Sequence, residues 1–227
     1  MTAVKKTGIL GGTFNPVHIG HLRLATAVVE ALHLDEVELM PCAVPPHKPE
    51  SGLLPFELRA SLLQAALEGS RGTAPLRVSL LEGELSAPSY TWNLLTAWRE
   101  RHRDAAPLFI LGGEDFAQMD TWYRGLELPK LTNLVVVPRA GMREQSFLDT
   151  LARFWPDAVP ATTGGTLSAT MPGGASFFFL PLPYLDISAS IVRTKWMQGE
   201  NIRYLTPDPV IDLLDSYRDE IRRSWLC

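Results

Sequence analysis

His18 and His21 stand three residues apart with Gly20 between them, directly after Gly11-Gly12-Thr13-Phe14-Asn15-Pro16-Val17. On a first helical turn that spacing puts both imidazoles on one face, beside the backbone N–H groups where helix N-termini gather anions. Gly11 and Gly12 remove Cβ atoms where backbone and phosphate approach closely. Two imidazoles so placed can donate to a polyphosphate and follow charge as it moves onto a leaving pyrophosphate. The string is neither a P-loop nor a dinucleotide fingerprint. It offers zinc no third ligand within reach, so no metal site is expected. A lone Gly-Gly would be an ordinary turn with surface histidines. The whole string reads as a cradle for a nucleoside triphosphate.

The elements around it must hold it still. Lys6 to Leu10 reads as a buried first strand, and Leu22, Ala25, Val28, Val29 and Leu32 fall on one face of a following helix. Glu36 to Met40, Leu76 to Leu81, Pro107 to Leu111, Asn133 to Val137 and Phe177 to Leu180 read as further strands. Most are apolar throughout, as parallel strands covered on both faces are. Pro55 opens a helix carrying Leu58, Leu62, Leu63, Ala66 and Leu67, with Gly69 as its stop. Ser89 to Trp98 is a third helix with Ser89 as its cap. Pro45 to Pro49 is an exposed loop bearing His47 and Lys48. Ser188 caps a helix ending near Gly199, and Thr206-Pro207 opens a last one with Val210, Leu213, Leu214, Tyr217 and Ile221 on one face. The expectation is an α/β Rossmann-like doubly wound parallel sheet of five to six strands, helices on both faces, with C-terminal helices completing the nucleotide site. Residues 1–227 form one domain, 140–175 a variable connection and 188–222 the C-terminal helical part.

The totals exclude several classes. With 227 residues, 46% hydrophobic and 20% charged, the chain is neither disordered nor membrane-spanning, since a span needs about 20 apolar residues. No signal peptide is evident. Cys42 and Cys227 make no disulfide framework, so a reducing cytoplasm is the expected compartment. A net charge of −4 gives no footprint for nucleic acid. Nothing in the sequence specifies an oligomer.

Gly11-Gly12-Thr13-Phe14-Asn15-Pro16-Val17-His18-Ile19-Gly20-His21 resembles the signature of the nucleotidyltransferases that share His-x-Gly-His with class I aminoacyl-tRNA synthetases. The chain as a whole resembles the bacterial nicotinate-nucleotide adenylyltransferases. The further matches are Pro45-Pro46-His47-Lys48, Ser89-Tyr90-Thr91, Gly113-Glu114-Asp115 with Trp122, Val137-Pro138-Arg139, Asp186 to Arg193 and Ile202 to Pro207. The resemblance implies that His18 and His21 hold the ATP phosphates, with Gly11, Gly12, Thr13, Phe14 and Gly20 lining the site. Ile187, Ser188 and Arg193 would close it from the other side, and Asp115 would face the nucleotide. His47, Lys48 and Arg139 would meet the mononucleotide phosphate. Thr91 would offer backbone donors to the nicotinate carboxylate, and Trp122 would stack on the pyridine ring. Taken singly, Trp122 reads as core, Tyr90 as packing, Lys48 and Arg193 as solvated charges and Asp115 as a cap; order and joint occurrence select them. Arg59 and Arg203 read as surface salt-bridging residues, and Glu82 and Glu84 form no acid/base pair.

The implied reaction is transfer of AMP from ATP to nicotinate mononucleotide, giving nicotinate adenine dinucleotide and pyrophosphate, with Mg²⁺ carried on the ATP phosphates. The mononucleotide phosphate is already largely dianionic at neutral pH, so neither a strong base nor a covalent intermediate is needed. Two departures from the family pattern stand out. Ala189 and Ser190 replace a serine and a threonine in the late motif, and Leu94, read as a packing residue, replaces a threonine. The competing readings are an enzyme acting on nicotinamide mononucleotide, phosphopantetheine or a phospho-sugar alcohol, and a non-catalytic nucleotide sensor.

Overall fold

The computed structural model describes residues 4–45, 51–68, 74–138, 142–183 and 185–226. In chain order the elements are β1 (Lys5–Gly12), α1 (Ile19–Leu32), β2 (Glu36–Pro41), α2 (Phe56–Glu68), β3 (Leu76–Val78), α3 (Thr91–Arg101), β4 (Ala105–Gly112), α4 (Gly113–Ala117) and β5 (Asn133–Val137). There follow α5 (Glu144–Phe154), β6 (Val159–Thr163), β7 (Thr166–Thr170), β8 (Ser176–Phe179), α6 (Ala189–Met197), α7 (Asp208–Ser216) and α8 (Arg218–Leu226). Short 3₁₀ turns at Leu81–Glu84, Met119–Thr121 and Gly125–Lys130 complete the chain.

The sheet runs β3-β2-β1-β4-β5-β8-β7-β6. The pairs from β3 to β8 are parallel, and β7 pairs antiparallel with both β8 and β6. The expected five to six strands are therefore eight. The parallel part has the expected size, and the surplus is the β6–β7 hairpin, which lies within the stretch read as a variable connection. Two further expectations change. The third strand stops at Val78, where the Leu81–Glu84 turn takes over. The last helix is broken at Tyr217 into α7 and α8.

Strand side chains alternate between two cores, which is why the strands read as continuous apolar runs. Leu108 and Ile110 of β4 and Val135 and Val137 of β5 face a core shared with α1, α2, α6, α7 and α8. Phe109 and Leu111, with Leu134 and Val136, face the opposite core with α3, α4 and α5. Ser89 does not cap α3: Tyr90 holds that position, and the Ser89 hydroxyl accepts from Val44 N (3.0 Å). Leu94 is buried, as a packing residue should be. No helix among the described residues is long and apolar enough to cross a membrane.

The chain leaves β1 toward β2 on one side and reaches β4 on the other. In a doubly wound sheet the crevice beyond the carboxyl ends of such a strand pair is where ligands bind. Leu10 pairs with Ile110 there, and Gly11-Gly12 and Gly112 end the two strands side by side.

Candidate active site

A cleft of about 620 Å³ opens at that point. One wall is the opening motif. Gly12 has no side chain where a Cβ would lie 3.1 Å from the Phe14 ring. Phe14 takes φ +48°, rare for a bulky residue; its ring is buried and meets His21 edge-on at 4.8 Å. The resemblance places Phe14 among the residues lining the site; its ring is also the support of His21. The His18 and His21 rings stack at 3.7 Å. His21 Nδ1 accepts the His18 backbone N–H (3.2 Å), so in the neutral ring Nε2 carries the proton and is the donor.

The motif loop is pinned by the far end of the chain. Ile19 N donates to Leu205 O (2.9 Å), and the buried Thr206 hydroxyl donates to Val17 O (2.8 Å). The opposite wall comes from the same region. Ser188 caps α6, accepting from Ile191 N (3.3 Å). Arg193, one turn on, donates from Nη1 to Asn15 O (2.8 Å) and from Nη2 to Ser190 Oγ (3.1 Å). Burial alone pulls its guanidinium below the usual arginine range, with no carboxylate paired to it among the described residues. A half-desolvated cation held by two neutral oxygens is a receptor for an anion.

Gly11, Gly12, Thr13, Phe14, His18, Gly20, His21, Asp115, Ile187, Ser188 and Arg193 all line this cleft, and so does Trp122. Thr91, the first residue of α3, is not among the lining residues. It is tied to Trp122 through its neighbours: Tyr90 stacks on Tyr123 at 4.7 Å, and the Arg124 guanidinium lies 3.6 Å from the Trp92 ring centre. His47, Lys48 and Arg139 lie outside the described residues.

Three residues that build the site were given no part in it by the sequence. Asn15 donates from Nδ2 to Gly52 O (2.7 Å) and accepts at Oδ1 from Leu54 N (3.2 Å), fastening the cleft-lining segment 51–53 to the motif loop. Ser190 orients Arg193, and its hydroxyl at the i,i−3 position was the available signal. Arg59 is no surface residue: it is 1% exposed. It donates from Nε to Leu54 O (2.8 Å), from Nη1 to Thr13 O (2.9 Å) and Cys42 O (2.6 Å), and from Nη2 to Ala43 O (3.1 Å). Its spacing to Leu62, Leu63 and Ala66 puts it on the apolar stripe of α2, which was the sign that it points inward. Arg203, by contrast, is the exposed ion pair expected, with Asp208. Glu82 is buried beneath the 42–44 segment and accepts from Ala43 N (2.9 Å); burial holds its pKa above the usual carboxylate value. Burial, aided by Glu82, pushes the Cys42 thiol up to about 12, which makes it inert as a nucleophile.

The chain matches the cytidylyltransferase-like family over residues 9–195. It is 32% identical to a protein of Maridesulfovibrio salexigens named "probable nicotinate-nucleotide adenylyltransferase", covering 97% of this chain and 99% of that one. It is 35% identical to a protein of Geobacter metallireducens with the same name, covering 94% and 97%. Its fold is similar to that of the Plasmodium falciparum nicotinic acid mononucleotide adenylyltransferase complexed with NaAD, with a TM-score of 0.71 at 18% identity over 94% of this chain and 96% of that one.

Proposed function

The chain belongs to the cytidylyltransferase-like family and, within it, to the nicotinate-nucleotide adenylyltransferases, and from that premise we propose how its cleft performs adenylyl transfer. The reaction joins nicotinate mononucleotide to the AMP moiety of ATP. An oxygen of the mononucleotide 5′-phosphate attacks the α-phosphorus in line, a new phosphoanhydride bond forms, and the α–β bond breaks to release pyrophosphate. The attacking phosphate is already largely dianionic at neutral pH, so no proton must be removed. The protein's work is to hold two polyanions together and to neutralise charge on the leaving side.

The observation that carries this reading is the convergence of the stacked His18–His21 pair and the Ser188–Arg193 turn on one cleft at the β1/β4 crossover. His21 Nε2 and the Arg193 guanidinium supply donors to the triphosphate from opposite walls. Gly11, Gly12, Thr13, Phe14, Gly20 and Ile187 shape the space between them, and Asp115 sits at its edge for the ribose. Trp122 stacks on the pyridine ring, and Thr91 at the start of α3 offers its backbone to the nicotinate carboxylate. His47, Lys48 and Arg139 are assigned to the mononucleotide phosphate. Asp115 is the one carboxylate among the described lining residues, which fits a Mg²⁺ held by phosphate oxygens and water rather than by a protein cage.

The cleft is built from both ends of the sequence, residues 10–24 and 182–193, and on that ground the chain is read as one domain. We place the reaction in the cytoplasm, where ATP is at hand and a free Cys42 thiol persists. The test is direct. Purified protein with ATP, Mg²⁺ and nicotinate mononucleotide should yield nicotinate adenine dinucleotide and pyrophosphate in equal amounts. No product, or faster turnover of nicotinamide mononucleotide, overturns the reading.

A further inference from the structure

Arg59 grips three separate stretches of backbone at once. Its Nη1 is shared between Thr13 O of the nucleotide loop (2.9 Å) and Cys42 O after β2 (2.6 Å). Nη2 reaches Ala43 O (3.1 Å), and Nε reaches Leu54 O (2.8 Å). Ala43 is held from its other side too, because its N–H donates to the buried Glu82 carboxylate (2.9 Å). Val44 is then fixed by Ser89, whose hydroxyl accepts from Val44 N (3.0 Å) and whose N–H donates to Val44 O (3.1 Å). The returning stretch meets Asn15, which binds Gly52 O and Leu54 N. Asn15 in turn offers its own carbonyl to Arg193.

Both described ends of the segment 42–54 are thus tied to the loop that faces the triphosphate, and Arg59 is the tie. A buried guanidinium bound to neutral carbonyls is an expensive way to fill a core, since desolvation is only partly recovered. What the planar fork supplies is geometry: four acceptors from three segments fixed to one rigid plane. A shift of Thr13 relative to Cys42 breaks one of the two bonds at Nη1.

We propose that Arg59 is a positioning residue that couples the two substrate subsites, so that ordering of the nucleotide loop by ATP also orders the segment 42–45, and the reverse. This rests on the assignment of ATP to the loop at Gly11–Asn15 and of the mononucleotide to the neighbouring side of the cleft. Because coupling between sites is reciprocal, each substrate tightens the binding of the other by the same factor.

The experiment measures the dissociation constant of α,β-methylene-ATP with and without saturating nicotinate mononucleotide, in the wild type and in Arg59→Lys. The lysine keeps the charge and most of the volume but loses the fork. Wild-type binding should tighten about fivefold or more, the lower end of ordinary coupling, and the variant's ratio should fall close to one. Thr13 O loses a donor in the variant, so the analogue alone binds it more weakly as well, and the ratio rather than the absolute constant is the readout. A purely structural Arg59 would weaken both constants together and leave the ratio unchanged; that result, or a wild-type ratio of one, overturns the proposal. Should Arg59→Lys fail to fold, amide exchange on the wild type decides. The analogue alone should slow exchange at Ala43 and Val44, and unchanged exchange there overturns the coupling. Wild-type turnover of nicotinate mononucleotide is followed in parallel. Absent turnover would refute the assigned acceptor, whereas slowed exchange at Ala43 would still report the Arg59 tie.

Discussion

The rings of His18 and His21 stack at 3.7 Å, 27° from parallel, and Gly20 between them leaves that stack room. A Cβ on Gly20 would stand 3.0 Å from both Cε1 and Nδ1 of His18. Two imidazoles held face to face and braced from below by Phe14 present their outer edges to the cleft as one unit. The pair is a single donor surface with little freedom to rearrange, which suits charge that develops only in the transition state.

Replacing Gly20 by Ala tests that unit without touching either histidine. Alanine is a better helix residue by up to about 1 kcal/mol, so thermal stability should hold or rise. The added methyl must move the His18 ring by a few tenths of an ångström. A misplacement on this scale should lower kcat about tenfold or more, with the KM for ATP changing far less. Steady-state kinetics beside a melting curve separates the two effects. Unchanged kcat in a well-folded variant would mean that the stack has no part in turnover.

Much of this wall was legible in the sequence because its signals are local. Gly11-Gly12, the spacing of His18 and His21, and the period of α1 all lie within one stretch of chain. β5 was readable to the residue because Leu134 to Val137 is an unbroken apolar run behind Asn133. β6 was not: all five of its residues are exposed, so it carries no apolar pattern, and its ladder to β7 makes it a strand. Ser89 looked like a helix cap because its local surroundings suit one, yet Val44, 45 residues away in sequence, claims its hydroxyl. For Arg59 the stripe of α2 carried the inward direction, but its partner Thr13 lies 46 residues away. Partners at that separation are not encoded in the local pattern of residues.

Ser190 is exposed and holds one end of the Arg193 guanidinium. Ser190→Ala should therefore leave stability almost unchanged while freeing that end. A hydrogen bond to a charged group near the surface is worth about 1 kcal/mol, so the KM for ATP should rise about fivefold. Arg193→Lys, which also loses the bond to Asn15 O and the planar fork, should cost considerably more. Equal losses in the two variants would show that Ser190 acts elsewhere than through Arg193.

Glu82 gives a pH signature with a defined sign. Burial raises its pKa in the folded protein above the usual carboxylate value. The folded state therefore binds the proton more tightly than the unfolded chain does. Its contribution to stability is complete below the unfolded carboxyl pKa and is lost as pH climbs through the raised folded value. Glu82→Gln keeps an acceptor for Ala43 N and removes the titration. Urea unfolding should show the variant level with wild type near pH 4 and more stable than wild type at pH 8. A constant difference across that range would exclude Glu82 as the titrating group.

Gly125 determines whether Trp122 can be where the pyridine ring is expected. The chain from Met119 to Gly125 folds back tightly, with Trp122 N donating to Met119 O (3.2 Å) and Gly125 N to Trp122 O (3.0 Å). A Cβ on Gly125 would fall 2.0 Å from Met119 O and 2.8 Å from Trp122 Cβ. The first contact is with backbone, which cannot swing aside, so Gly125→Ala must open the turn. Overpacking of this kind costs about 1–3 kcal/mol. The turn carries Trp122 and, through the Tyr90–Tyr123 stack, fixes its place beside Thr91. The variant should lose affinity for nicotinate mononucleotide while the KM for ATP stays near wild type, because the His18–His21 wall does not rest on this turn. Trp122→Leu is the companion: it removes the ring and leaves the turn closed. Aromatic stacking beyond simple burial is worth about 0.5–1.5 kcal/mol, or roughly a two- to twelvefold rise in mononucleotide KM. Gly125→Ala should match or exceed that rise. If mononucleotide KM is unmoved in both variants, Trp122 does not stack on the substrate, and the glycine serves only the fold of the turn.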